Sequence, residues 1–365
     1  MTQLTLAPVR RRISAIAWVR ENLFSSPFNT VLTLAALYLI WLVVPALLDW
    51  AVFRATFTGL DRKACLGADQ GACWPFITHN LGQFIYGHYP EEERWRVNTT
   101  FVLGIAGLVP LMIPRVPWKR LNALYMLGFF PLAAFVLLSG GRSGLSPVDT
   151  AYWGGFMLTL VVAVTGIVLS LPLGIVLALG RRSRLPLIRL FSVIYIEFWR
   201  GVPLVTVLFM ASVMLPLFLP QGVTFDKLLR CLIGVTLFSA AYMAEVVRGG
   251  LQAIPRGQQE AASALGLGYW QSMWFIVIPQ ALRHVIPGIV NTFIGLFKDT
   301  TLVLVVGLFD LFGMVQFQLS DARWSTPQTP TTGYAFVAFV FWVCCFGMSR
   351  YSMSIEKRLK QGGSK

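Results

Sequence analysis

Apolar and polar segments alternate along this chain of 365 residues. Eight apolar runs have about the length needed to cross a bilayer, whose hydrocarbon core takes roughly 20 residues of helix. They cover about 30–48, 98–113, 121–139, 155–179, 188–216, 228–247, 285–309 and 333–350, and the second is the shortest. The chain is 56% hydrophobic and 13% charged, against about 25% charged in soluble domains. The pattern predicts an all-α polytopic membrane protein with about eight spans.

The net charge of +14 would also suit a nucleic-acid-binding protein, but its distribution argues against one. With the N-terminus in the cytoplasm, the inner segments are 1–29, 114–120, 180–187, 248–284 and 350–365. Counting a residue or two into the flanking spans, they hold nineteen Lys and Arg against three Glu, whereas the outer segments hold nine against ten acidic residues. This asymmetry is the positive-inside pattern. We therefore expect a multi-pass protein of the bacterial inner membrane with both termini cytoplasmic and no nucleic-acid partner.

The chain is expected to divide near residue 150. Residues 1–150 form an extension with three spans and an outer, periplasmic loop at about 51–97, and residues 151–365 form a five-span unit. The first apolar run follows 29 polar residues and precedes no small-residue cleavage site, so we expect a retained span. The extension carries no catalytic constellation and is interpreted as a scaffold for the five-span unit. Its loop could instead contact a periplasmic partner.

Two of the five cysteines lie close together in the outer loop. Cys65 and Cys73 are eight residues apart, and a disulfide between them would suit a periplasmic loop. Two free thiols are the equal alternative. A metal site that includes His79 and His88 is a third interpretation, although the spacing matches no known zinc pattern.

Charged residues inside apolar runs are the first candidates for function, because an ionisable group in hydrocarbon is costly and usually faces a partner or an aqueous path. Glu197 and Arg200 are three residues apart and therefore share a helical face on which they could pair. Gly201 and Pro203 follow and should break that helix.

Two further pairs of charged residues lie in the sixth and seventh spans. Glu245 and Arg248 repeat the three-residue spacing, and Lys298 and Asp299 interrupt the seventh run just before Thr300. Each pair could join helices or line a transport path. For Glu245 and Arg248 both readings stay open, whereas the depth of Lys298 and Asp299 favours the path.

A short polar interval between spans carries the most specific motif. It reads Glu260-Ala261-Ala262-Ser263-Ala264-Leu265-Gly266 and is followed after nine residues by Ile276-Val277-Ile278-Pro279. Small side chains let another protein approach the backbone closely, and glycine supplies a turn or a positive φ. An ordinary Ala-rich loop is the plain alternative, against which the glycine, the Ile-x-Ile-Pro ending and the neighbouring motifs count.

Four motifs in order resemble the permease subunits of polar-amino-acid ABC importers, with a match from about Trp153 to the C-terminus. They are Glu197-Phe198-Trp199-Arg200-Gly201-Val202-Pro203-Leu204, Ala241-Tyr242-Met243-Ala244-Glu245-Val246-Val247-Arg248-Gly249-Gly250, Ile254-Pro255-Arg256-Gly257-Gln258 and Lys298-Asp299-Thr300-Thr301-Leu302. The long extension and Trp153-Gly154-Gly155-Phe156 are most similar to the M-type permease of the general L-amino-acid importer (Aap/Bzt type).

The resemblance implies a type I importer core of five transmembrane helices, preceded here by three more. It also implies four partners: an ABC ATPase dimer, a second homologous permease, a periplasmic amino-acid-binding protein and an L-amino acid of broad polar range. The residues implied to dock the ATPase are Glu260, Ala261, Ala262, Ala264, Leu265 and Gly266.

A zwitterionic amino acid requires a cationic group for its carboxylate and an acidic group or carbonyls for its ammonium. The hypothetical substrate path comprises Glu197, Arg200, Glu245, Arg248, Asn291, Thr292, Lys298, Asp299 and Thr300. Relatives resembling this chain often carry Glu at the position of Thr292, where it would suit a cationic substrate. Its absence here is consistent with a broad range.

The chain lacks the means to hydrolyse ATP. It has no Gly-x-x-x-x-Gly-Lys-Ser/Thr phosphate cradle, no nucleophile–base pair and no credible metal cluster, so we expect no cofactor and no enzyme activity. ATP and Mg²⁺ would be used by the partner ATPase, whose closure would move the Ala261–Leu267 helix as a lever and give alternating access.

The alternatives are an ion-coupled secondary carrier, which predicts inverted repeats that the sequence does not show, or an ABC permease for another small polar solute such as an opine or osmolyte. The charges inside the spans argue against a purely structural subunit.

Overall fold

A computed structural model describes residues 14–67, 69–113, 116–141, 144–218, 220 and 225–362, and gives only the backbone for 120 and 359–362. The sequence features at Arg10–Arg12, Arg115 and the last three residues lie outside this part of the chain. The structure forms two compact units, one up to Pro75 and one from Phe76 onwards. The division expected near residue 150 stays a prediction.

Helices make up most of the described chain. They are α1 (Ala15–Leu23), α2 (Pro27–Leu48), α3 (Trp74–Tyr86), α4 (Arg94–Met112), α5 (Lys119–Leu124), α6 (Phe130–Ser139), α7 (Gly155–Arg181), α8 (Pro186–Gly201), α9 (Leu204–Phe209), α10 (Lys227–Ala253), α11 (Arg256–Ala264), α12 (Tyr269–Ser272), α13 (Ile278–Asp299), α14 (Leu311–Leu319) and α15 (Thr329–Gly362). The π-helical turns Asp49–Phe53, Tyr125–Phe129 and Met273–Val277 continue α2, join α5 to α6 and join α12 to α13.

The first unit contains one long apolar helix and the disulfide loop. The hydroxyl of Ser26 accepts the backbone N–H of Asn29 at 3.1 Å and so caps α2, and Pro27 takes the first helical position, where its missing N–H is not needed. Cys65 and Cys73 form a disulfide, with Cα atoms 5.7 Å apart.

Among the described residues, seven helical runs are long and apolar enough to span a bilayer, and an eighth is bent. The seven are 27–53, 91–112, 121–139, 155–181, 227–253, 269–306 and 329–358. The eighth, α8 followed by residues Leu204–Phe218, bends by 104°. The bend falls where Gly201 and Pro203 predict it, because proline lacks an N–H and disfavours helical geometry at the preceding residue. The expected all-α fold with about eight spans is confirmed.

The seventh span begins earlier than expected. The helical run starts at Tyr269, whereas the apolar pattern puts the start near residue 285. Arg283 and His284 interrupt the apolar pattern, but both favour or tolerate helix, so the backbone hydrogen bonds continue through them. The polar connection between the sixth and seventh spans is therefore 254–268, and α11 occupies most of it.

Small residues bring α7, α10 and α13 close together. A Cβ placed on Gly174 would lie 2.7 Å from Cβ of Met243, and one on Gly250 would lie 2.6 Å from the carbonyl oxygen of Ala281. Glycine at such contacts lets helix backbones approach within a bilayer. As a result the C-terminal ends of α7 and α10, which both carry arginine, lie side by side.

Residues 76–150 pack against the five-span part within the second unit. Phe76 and Phe84 of α3 contact Trp324 and Phe336, with ring centroids 6.4 and 5.8 Å apart. Within residues 76–150 themselves, the guanidinium of Arg96 is almost fully buried and reaches Glu93 at 2.8 Å and the carbonyl oxygen of Ser146 at 2.8 Å. The aromatic contacts with the five-span part are consistent with the scaffold interpretation of the extension.

Candidate functional site

The carboxylate of Glu245 on α10 is the centre of an ion-pair cluster, which we define as Arg181, Glu197, Arg200, Glu245 and Arg248. Arg248 donates to it from Nε at 3.0 Å and from Nη2 at 2.7 Å, and Arg181 at the end of α7 donates from Nη1 at 2.7 Å. The Glu245 side chain is only 16% exposed. Its ionised form is therefore held by charge-assisted hydrogen bonds from two guanidinium groups.

The helix α8 joins this cluster through both of its charged residues. Arg181 also contacts Glu197, with Nη2 and Oε1 2.9 Å apart. The guanidinium of Arg200 lies 3.7 Å from Oε2 of Glu245 and 5.8 Å from the ring centroid of Tyr242. The expected pair between Glu197 and Arg200 is not among the ion pairs of the described residues. The reason is that the ends of α7 and α10 offer each of them an opposite charge on a neighbouring helix.

Local sequence explains the position of Arg181. It occupies the last turn of α7, where a cation interacts favourably with the partial negative charge of the helix C-terminus. Gly174, two turns earlier, allows the close approach to Met243 of α10. Sequence reasoning used Arg181 only as evidence for topology. Arg181 lies two residues beyond the apolar run 155–179, which is parallel to the Glu245 run in the predicted topology. This position was the signal that could have indicated a partner.

The second group of charges, on α13, has a different environment. Lys298 is exposed and Asp299 is half-buried, and within the described part of the chain no ion pair joins them to each other or to another residue. The hydroxyl of buried Thr300 donates to the carbonyl oxygen of Phe297 at 2.8 Å. Here the helix changes to a 3₁₀ segment, Thr300–Val306.

Asn291 and Thr292 lie nearer the start of α13. Asn291 is exposed, and the hydroxyl of Thr292 donates to the carbonyl oxygen of Gly288 within its own helix at 2.9 Å. The structure shows no ion pair or hydrogen bond between the α13 residues and the Glu245 cluster, among the residues it describes. The nine path candidates therefore fall into two separate groups.

The Glu-Ala-Ala motif forms the helix α11 and ends as its glycine suggests. The N–H of Leu267 donates to the carbonyl oxygen of Ala262 at 3.1 Å and the N–H of Gly266 to that of Ser263 at 3.0 Å, while Gly266 has φ = +78°. This is the glycine-ended helix terminus in which a left-handed residue lets two further N–H groups satisfy orphan carbonyls.

Five of the six proposed docking residues are exposed, on this helix or directly after its last residue. They are Glu260, Ala261, Ala264, Leu265 and Gly266. Leu265 is 79% exposed, whereas Ala262 is buried against the rest of the chain. An exposed leucine beside alanine side chains forms a small apolar surface next to Gly266, where a Cβ would meet no atom within 4 Å. A surface of this kind has the shape to fit into a groove of another protein.

Comparisons with known proteins find relatives among membrane transport proteins. A model of the family described as "Binding-protein-dependent transport system inner membrane component" matches residues 170–361. The Escherichia coli K12 inner membrane amino-acid ABC transporter permease protein YhdY is 51% identical over 95% of this chain and 94% of its own length. The Rhodobacter capsulatus glutamate/glutamine/aspartate/asparagine transport system permease protein BztC is 43% identical over 97% and 96%.

Other relatives match only part of the chain. The probable glutamine ABC transporter permease protein GlnP of Bacillus subtilis is 33% identical over 56% of this chain and 90% of its own. A solved amino acid ABC transporter with histidines is 29% identical over 56% and 92%, with a TM-score of 0.49. The family match and the two near-full-length relatives agree with the fold and with the motifs in their order. The chain therefore belongs to the family of inner-membrane components of binding-protein-dependent transport systems, as a multi-pass permease subunit of an ABC transporter.

Proposed function

We propose that this chain is the permease subunit of an ATP-driven importer of L-amino acids, with a broad polar range. The observation that carries the proposal is near-full-length similarity to two proteins named as amino-acid permeases, one of them for glutamate, glutamine, aspartate and asparagine. Acidic and amide side chains differ in charge but not in shape, so a site that takes both must bind mainly the shared α-amino and α-carboxyl groups.

The α13 group is the better candidate for that binding. Lys298 offers a cation for the carboxylate, Asp299 an acceptor for the ammonium, and neither is engaged in an ion pair within the described residues. Arg200 is a second candidate cation, because its contact with Glu245 is the longest in the cluster at 3.7 Å. Asn291, Thr292 and Thr300 complete the proposed path.

The remaining members of the cluster are better explained as connectors of helices. Arg181, Glu245 and Arg248 satisfy one another at hydrogen-bond distance, and Glu197 is tied to Arg181. A partly buried carboxylate with two such partners has little capacity left for a substrate ammonium.

The proposed partners supply what this chain lacks. An ATPase dimer, which uses ATP and Mg²⁺, would dock on the exposed side of α11; a second homologous permease would complete the path; a periplasmic binding protein would deliver the amino acid. The exposed small-residue surface on α11 supports the first of these. ATP-driven movement of α11 would give alternating access, and this chain would itself need no cofactor.

The test measures amino-acid-stimulated ATP hydrolysis and amino-acid uptake by the purified complex. The chain is co-expressed with its partner subunits, reconstituted in liposomes, and supplied with binding protein and glutamate, glutamine or another polar amino acid. We expect uptake that requires ATP and survives a protonophore. Uptake driven by a proton gradient without ATP would indicate the ion-coupled carrier, and stimulation only by a different polar solute would reject the amino-acid assignment.

Sidedness is tested separately. Reporter fusions after Arg182 and Gln258 should be cytoplasmic and one after Asp69 periplasmic, as the charge distribution predicts. A cytoplasmic reporter at Asp69 would contradict the assignment of the first three spans.

A further inference from the structure

Four arginines line a cavity beside the ion-pair cluster. The cavity has a volume of about 510 Å³ and lies between the ends of α7, α8 and α10. Its lining residues are Arg181, Arg182, Arg189, Val193, Arg248 and Gln252. A cavity of this size is within the usual range for small-ligand sites.

The positive charge at this cavity exceeds the negative charge available to it. Taken with the adjoining cluster, five guanidinium groups face two carboxylates, those of Glu197 and Glu245. Arg181 and Arg248 already donate to Glu245, but Arg182 and Arg189 have no carboxylate within ion-pair distance among the described residues. Like charges held close together repel, so an anion bound here would lower the energy of the folded chain.

Arg182 and Arg189 are also free in geometry to bind an anion. Arg182 uses one N–H to reach the carbonyl oxygen of Leu251 at 3.2 Å and keeps its other donors. The side chain of Arg189 is exposed and makes no hydrogen bond with a described residue. The planar guanidinium presents parallel N–H donors that match two oxygens of a phosphate, and the amide of Gln252 adds a neutral donor at the same cavity.

The first two turns of α8, which carry Arg189, also carry exposed apolar side chains. Leu187, Leu190 and Phe191 of α8 are all exposed, and Phe191 is 65% exposed. The sequence predicts that this end of α8 lies at the cytoplasmic boundary of the bilayer. There the phosphate of a lipid would lie at the level of Arg189, and its acyl chains could contact the exposed apolar side chains of α8. Basic pockets between transmembrane helices on this side of a membrane suit anionic headgroups.

We propose that the cavity between the ends of α7, α8 and α10 is a binding site for a phosphate group, supplied by an anionic phospholipid or by free phosphate. Arg182 and Arg189 bind the phosphate oxygens, and Arg181 and Arg248 connect the bound group to the Glu245 cluster. The anion thereby ties three helix ends together and stabilises the permease. This site is independent of which solute the transporter carries.

The experiment compares two charge-matched variants of the full-length chain, purified in neutral detergent. Arg182→Gln/Arg189→Gln removes the two arginines without an acidic partner. Arg256→Gln/Arg350→Gln removes two exposed arginines from other segments predicted to be cytoplasmic and serves as the control. Phosphatidylglycerol or phosphatidylcholine bound per chain is measured by mass spectrometry, and protection against heat is measured with inorganic phosphate alone, against chloride at equal ionic strength.

We expect the wild-type chain and the control to bind phosphatidylglycerol in preference to phosphatidylcholine, and the cavity variant to bind it roughly tenfold more weakly. Protection by inorganic phosphate, lost in the cavity variant, would identify free phosphate as a source; binding of phosphatidylglycerol alone would identify the lipid. Equal binding by all three chains, equal loss in both variants, or protection by glutamate and not by phosphate would overturn the proposal.

A second pair of variants guards against misfolding. If the glutamine variant is not recovered as a monodisperse protein, Arg182→Lys/Arg189→Lys keeps the charge but removes the planar fork. Weaker binding of phosphatidylglycerol or phosphate by this variant supports the site, and binding equal to that of the wild-type chain overturns it.

Discussion

Two sets of charged residues lie within the spans, and they differ most in the partners that surround them. Glu245 accepts hydrogen bonds from two arginines and lies near a third, whereas Lys298 and Asp299 form no ion pair among the described residues. In a low-dielectric environment a carboxylate that is paired with cations can have a structural role. An unpaired carboxylate is costly there, and its presence points to a function. A charged residue inside a membrane span can therefore have either a structural or a functional role, and its contacts distinguish the two.

The largest effect is expected from Glu245→Gln. The change leaves Arg181 and Arg248 without their shared acceptor, at a cost of about 3 kcal/mol, the lower end of the range for a broken buried pair, because these arginines are partly exposed. The thermal midpoint of the detergent-purified chain and its level in the membrane should both fall.

The matched control for this variant is Glu197→Gln. Glu197 is 55% exposed and has one ion-pair partner among the described residues, so its loss should cost less than about 1 kcal/mol. Equal destabilisation by the two variants would show that the number of partners does not determine the role of these carboxylates.

The second prediction addresses the other side of the comparison. Lys298→Ala/Asp299→Ala should reach the membrane at a near-normal level, because it breaks no ion pair between described residues. Uptake should nevertheless fall by at least roughly tenfold, the effect of losing one or two charged contacts with a substrate. Uptake and amino-acid-stimulated ATPase are measured in liposomes, with Thr301→Ala as the neighbouring control. Near-normal uptake by the double variant would move both residues from the path to the scaffold.

A third change separates loss of the path from loss of coupling. Gly266→Asp places a carboxylate on the exposed side of the glycine turn, at a φ of +78° that Asp adopts at a cost of about 1 kcal/mol. The chain should remain in the membrane, while copurified ATPase and uptake fall together. The Gly266→Asn variant is similar in shape but neutral, and it should keep most of the coupling. If the aspartate variant disappears from the membrane, the glycine serves folding rather than docking.

The last prediction concerns a pH dependence, set by a carboxyl group outside the spans that forms no ion pair with a described residue. Asp310 is fully buried and caps α14 by accepting the N–H of Gly313 at 2.9 Å. Burial raises its pKa to about 7, although backbone N–H groups of Gly313 and Phe312 favour the ionised form.

Because the folded chain holds this proton more tightly than the unfolded chain, stability should fall as pH rises from about 4 to about 7 and then level off. Thermal midpoints between pH 5 and pH 8 should show this slope, and Asp310→Asn should reduce it. A wild-type chain that gains stability over this range relative to the variant would contradict the assignment.

Much of the fold was predictable because each span carries its own signal. The hydrocarbon core demands a long apolar helix, and the break at Gly201 and Pro203 follows from backbone chemistry, which does not depend on neighbours. The start of the seventh span was less predictable. Arg283 and His284 reduce hydropathy without ending a helix, since both can continue its hydrogen bonds.

The site was predictable only in part. The spacing of Glu197 and Arg200 indicates a shared face, but it cannot show that Arg181 on another helix offers Glu197 a partner. Nor does the sequence indicate that Arg182 and Arg189, counted only for topology, line one cavity with Arg248. Pairings between distant helices depend on which backbones approach closely, and that depends on the packing of residues such as Gly174 against Met243.

The sequence alone determined the number of spans, the glycine-ended helix between the sixth and seventh spans, the residues that carry charge into the membrane and the resemblance to importer permeases. Each of these rests on local properties: hydropathy, backbone preference and the order of motifs. The tertiary structure alone decided which charges meet, and so divided nine candidate residues between an ion-pair cluster and an unpaired group on α13. The physical reason is that electrostatic and hydrogen-bond energies depend on distances of a few ångströms between side chains that lie far apart along the chain.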